Sequence, residues 1–143
     1  MSRAPRERGA AIVEMAVVTP LLLLFLLGII EFGAVFAQFN DVRHGAREGA
    51  RFAAVNGGSA TVIRDLVCNS MDFSNGIGTV TVDIARAGAT LGSNATITVT
   101  AEVNSLSNAP MITGLLPDDV SSTIDFRLEQ RATWTAASGM SCP

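Results

Sequence analysis

The sequence predicts an α+β protein: a long N-terminal membrane-spanning helix continuing into a small head with a second helix and a three-stranded antiparallel sheet. Three observations carry this reading. From Ala10 to Phe39 the only charged residues are Glu14 and Glu31. The residues that follow, up to Val55, keep a helical repeat. Beyond them, three stretches alternate apolar and polar residues with period two. The 143-residue average, 48% hydrophobic, conceals this division. The net charge of −3 gives no electrostatic footprint for nucleic acid. Two cysteines and one histidine are too few for a metal site of recognisable spacing.

The first element is long enough to cross a bilayer. Met15 to Ile30 is sixteen residues without a charge, and accepting Glu31 extends the stretch to Phe39. A bilayer core needs roughly 20 residues of helix. Arg3, Arg6 and Arg8 precede the segment against the single acid Glu7, so the positive-inside rule keeps the N-terminus in the cytoplasm. Arg43, Arg47 and Arg51 follow it, diluted by Asp41 and Glu48. The chain therefore divides into a leader at 1–9, a transmembrane helix at 10–39 and an exported head at 40–143. Pro20 removes a backbone donor within the span and predicts a kink. Gly28 and Gly33 are sites where another helix could approach closely.

The two acids need an explanation, because insertion scales put an unpaired acid at the centre of a span at about 2.5–3.5 kcal/mol. A secretory signal cleaved after Ala37 would have a shorter apolar region and no Glu31. A plain uncleaved anchor explains the length and leaves Glu14 unexplained. A prepilin-type signal accounts for Glu14 directly. In "RERGAAIVEMAVVTPLLLLFLLGIIEFG" a basic leader ends in Gly9, Ala10 follows, and Glu14 is the fifth residue after the glycine. Cleavage after Gly9 would free an amine on Ala10. Glu14 could face that ammonium, on its own chain or a neighbour's, and is favoured near a helix N-terminus. Glu31 lies about 25 Å further along the helix. It is read either as an interfacial acid or as a polar contact to a partner helix.

This pattern resembles the processing signal of type IV pilins and pseudopilins. With "AREGARFAA" at Ala46–Ala54 and the later "APMITGLL" and "STIDFRLEQRATW", it is similar to the TadE-like family of the tight-adherence (Flp) pilus system. The resemblance is strong from Gly9 to Ala54 and weak between Val55 and Val103. One departure is Met15, where the family commonly has an aromatic residue. The resemblance implies a minor pseudopilin, cut by a prepilin peptidase at Gly9–Ala10 with Glu14 in the signal. It implies helix-to-helix assembly contacts through Glu14, Pro20, Gly28 and Glu31, and a place in the bacterial inner membrane with the head outside. The implied partners are other pilins or pseudopilins and the inner-membrane pilus platform. No small-molecule substrate, cofactor or enzymatic activity is expected. The alternative is an uncleaved anchored domain serving as an assembly platform component.

The head elements follow in order. Val42, Ala46, Gly49, Ala50 and Ala53 form a stripe at helical spacing, with Glu48 and Arg51 placed to pair on the other face. Asn56-Gly57-Gly58 ends this helix. Ser59 or Thr61 caps a second helix with Val62, Ile63, Leu66 and Val67 on its apolar face and Cys68 near its end. The strands are centred on Val80–Ile84, Ala95–Val103 and Ile124–Trp134, with the two helices covering one face. A helical turn is expected at Met111 to Leu116. Two distant cysteines in an exported domain predict a disulfide, Cys68 to Cys142. His44 stands on the polar side of a helix without partners for catalysis.

Overall fold

The computed structural model describes residues 4–55, 58–73, 76–107 and 113–143. Helix α1 runs from Ala4 to Val55 without interruption, with Pro20 inside it. Its 52 residues extend about 78 Å at 1.5 Å per residue. Helix α2, Ala60–Asn69, starts on Ser59, whose side chain accepts a hydrogen bond from the Val62 N–H at 3.3 Å. That interaction satisfies one of the donors a helix start leaves free. Ile63, Val67 and Cys68 face inward, while Val62, expected on the apolar face, is 46% exposed.

Four strands follow: β1 at Ile77–Arg86, β2 at Asn94–Val103, β3 at Asp119–Arg127 and β4 at Ala137–Ser141. They form one antiparallel sheet in the order β3-β2-β1-β4. The alternating pattern sets the register: Val80 faces Ala101, Val82 faces Val99, and Ile84 faces Ile97. All six are buried toward the helices. A slip of one residue would turn every one of them to water. The other face is polar: Thr96 donates to Asp125 at 2.8 Å, and the hydroxyls of Thr98 and Thr123 share a hydrogen bond at 3.0 Å.

The sheet thus has four strands, not the expected three. Strand β3 begins before Ile124 and stops at Arg127, short of Trp134. Beyond it the backbone turns to other partners. The N–H of Leu128 bonds to Ser93 O, that of Glu129 to Ala54 O, and that of Ala132 to Ala89 O. Leu128 and Trp134 are buried all the same, because this segment closes over the end of α1. The Trp134 indole donates to Ala53 O at 3.1 Å. With Glu129 it satisfies two of the carbonyls that a helix C-terminus leaves open. Strand β4, "ASGMS", has no apolar alternation to announce it. It is held as an edge strand by β1, by the Asp83 carboxylate accepting from the Gly139 N–H at 2.6 Å, and by the Cys68–Cys142 disulfide.

Helix α1 packs α2 and the sheet through the expected stripe, Val42, Ala46, Ala50 and Ala53, all buried. The approach of α2 is close enough to require glycine. A Cβ on Gly45 would lie 2.8 Å from Met71 Cγ, and one on Gly49 would overlap Val67 Cγ2. The Glu48–Arg51 ion pair forms at 3.1 Å on the outer face. The expected turn before β3 falls partly outside the described residues, at Met111 and Ile112. Its remainder is closed by the Leu116 N–H bonding to Thr113 O at 3.3 Å.

Candidate functional site

Along α1 the surroundings change at one residue. From Gly9 to Ile30 none is buried, including Ile12, Val17, Leu22, Phe25 and Ile29. Glu31 is then 1% exposed, and the buried stripe continues through Gln38, Val42, Gly45, Ala46, Gly49, Ala50 and Ala53. The head therefore sits on the C-terminal part of the helix, with Glu31 at the lower edge of the contact.

The Glu31 carboxylate is held by the connection between β2 and β3. It accepts from the Ser105 hydroxyl at 3.1 Å, the Leu106 N–H at 3.1 Å and the Ser107 N–H at 2.6 Å. Hydrogen bonds to an ionised acceptor are the stronger kind. The connection leaves the sheet at Val103, whose N–H bonds to Asp118 O at 3.0 Å, so it begins and ends at one place. Residues 104–107 act as a strap across the helix. The cover over Glu31 is this loop rather than the apolar core.

The other site residues read from the sequence stand apart from the strap. Gly9 has open space where a Cβ would be, and the same holds for Gly28 and Gly33. Glu14 is exposed and makes no hydrogen bond or ion pair among the described residues. Pro20 lies on the bare part of the helix. Glu14 and Glu31 are not brought together, and Glu31 is used within its own chain. Cys68 and Cys142 are joined, with their Cα atoms 5.7 Å apart, and take no part in the strap contact.

Gln38, Ser105 and Ser107 carry no role in the sequence-based expectations, and Trp134 stands there only as the end of a strand. A signal for Gln38 existed: it is seven residues after Glu31 and four before Val42, on one helical stripe. For the strap there was none, because two of its donors to Glu31 are backbone N–H groups.

A bare apolar helix topped by a small α+β head defines a stalk-and-head protein, with one helix among the described residues long and apolar enough to cross a membrane. Residues 9–51 match the family model of TadE-like proteins, the family the N-terminal pattern resembles. The match covers 43 residues (51 − 9 + 1) of the 143, most of α1, and stops before α2 and the sheet. No curated protein and no solved structure matches the chain.

Proposed function

We propose that this chain is a minor pseudopilin-like structural component of a tight-adherence (Flp) pilus apparatus. A prepilin peptidase cuts it between Gly9 and Ala10. The helix then crosses the bacterial inner membrane with its N-terminus cytoplasmic and its head outside. The observation that carries this reading is that no residue of apolar α1 from Gly9 to Ile30 is buried, in the segment that matches the TadE-like model. Apart from Leu115 beside Leu24, Phe25, Gly28 and Ile29, nothing else among the described residues lies against that surface, so lipid or neighbouring helices must cover it. The open flanks of Gly28 and Gly33 suit such neighbours.

On this reading the role is assembly. No group of three metal-ligating side chains occurs among the described residues. The scissile bond lies inside α1, so the peptidase must unwind that turn. Glycine at position 9 eases this, being about 1 kcal/mol poorer than alanine in a helix.

Mass spectrometry of the membrane-extracted protein tests the proposal through its mature N-terminus. Ala10 supports it. Met1 would favour the second reading, an uncleaved platform component, and Gln38 would make the chain a secreted domain.

A further inference from the structure

The connection that straps Glu31 also reaches down the helix. Leu115, in the turn Thr113–Leu116, lines a groove of about 360 Å³ with Leu24, Phe25, Gly28, Ile29 and Phe32. Leu115 is 71% exposed although it belongs to the head. If the span begins at Ala10, roughly 20 residues carry it across the bilayer core to about residue 30. Leu24 to Phe32 then lie in the outer leaflet and at its boundary, and Leu115 lies beside them. We propose that the Thr113–Leu116 turn is a membrane foot, with the Leu115 side chain seated in the outer leaflet at the boundary between headgroups and acyl chains. The occupant of the groove is lipid. The assignment rests on the membrane-spanning part of the proposed function.

Three further observations fit a foot of this kind. Val103 to Pro117 contains no charged residue, in a chain that is 16% charged. Lipid-exposed irregular backbone does not occur within the hydrocarbon core, so the backbone of the foot stays at the headgroup level and only the Leu115 side chain reaches the acyl chains. Here Glu31 takes the N–H groups of Leu106 and Ser107, and Thr113 O takes that of Leu116. The acid at the end of the span thus serves as an acceptor for the loop that meets the lipid. Finally, the foot has no basic residue, and Asp118 and Asp119 follow it, so insertion draws on apolar contact and not on anionic lipid.

Two leucines of equal exposure make the test. Leu91, also 71% exposed, lies in the β1–β2 turn. That turn bonds to Leu128 and Ala132, beside the far end of α1. Full-length L115W, L91W and L22W are reconstituted in phosphatidylcholine vesicles whose acyl chains are brominated, with the emission of Trp134 in the unsubstituted protein as background. The expected result is that the added emission of L115W and L22W is quenched by the brominated lipid, while that of L91W is quenched only by aqueous iodide. Added salt should leave the L115W result unchanged. Quenching of L22W without quenching of L115W overturns the foot and leaves the span standing. Shielding of L115W from both quenchers also overturns it, and assigns the groove to a neighbouring chain. Absence of quenching at L22W removes the span and the foot together.

Discussion

The Ser107 N–H donates to the Glu31 carboxylate at 2.6 Å, across 76 positions of sequence. Where the helix loses its lipid-ready surface, it gains an acid, and the head closes on that acid. Glu31→Ala removes the acceptor for Ser105, Leu106 and Ser107 together. Hydrogen bonds to an ionised acceptor are the stronger kind, so losing these part-buried ones together should open the strap. Hydrogen exchange by mass spectrometry should show protection lost at 104–107 and kept in β1 and β2. Glu31→Gln keeps one acceptor oxygen and should lose less protection. Unaltered strap exchange in Glu31→Ala would show that the carboxylate does not hold the loop.

Gly49 and Gly33 look alike in sequence, since each is a glycine in one long helix. Their surroundings separate them. A Cβ at Gly49 would overlap Val67, while at Gly33 it would meet nothing within 4 Å. Gly49→Ala gains about 1 kcal/mol of helix propensity but forces α1 and α2 apart, and overpacking of this kind costs about 1–3 kcal/mol. The head's melting temperature should fall in Gly49→Ala and hold in Gly33→Ala, as followed by near-ultraviolet circular dichroism in detergent.

How far the fold was legible depended on whether a residue's partner leaves a mark in the sequence. Val82 opposite Val99 was legible, because apolar alternation records a covered sheet face. So was the Val42–Ala53 stripe. Strand β4 was not: "ASGMS" is an edge strand held by backbone pairing, by Asp83 and by a disulfide. The stretch from Leu128 to Trp134 misled, because its apolar spacing serves the end of α1 and not a sheet. In the site, the apolar helix was legible. The partner of Glu31 was not, since a peptide N–H is the same at every residue but proline.

The Cys68–Cys142 bridge ties the edge strand to α2 and closes a loop of 74 residues. In the chain-entropy model such a loop contributes about 4 kcal/mol, and measured bridges often deliver less. Cys142→Ser should lower the head's melting temperature and speed hydrogen exchange at Ala137–Ser141. Reductant should lower the melting temperature of the parent protein and leave that of Cys142→Ser unchanged. Equal sensitivity of the two to reductant would mean that the bridge is not formed.

Glu14 lies seventeen positions from Glu31 and in the opposite situation: exposed, with no partner among the described residues. Its partner, on the proposed function, is the Ala10 ammonium freed by cleavage, on a neighbouring chain. Glu14→Gln keeps the shape and removes the charge. Cleavage should continue, because Gly9 and the basic leader are intact. Membrane insertion should hold or improve, since an acid in the span has been neutralised. Co-assembly should fall, because the neighbour's ammonium is left without its counter-charge in a medium of low dielectric constant. Crosslinking to pilus components and N-terminal sequencing, done on the same sample, separate these effects. Reduced crosslinking with normal processing assigns Glu14 to assembly. Loss of processing would assign it to the peptidase, and normal values for both would leave it an interfacial acid with no role in the contact between chains.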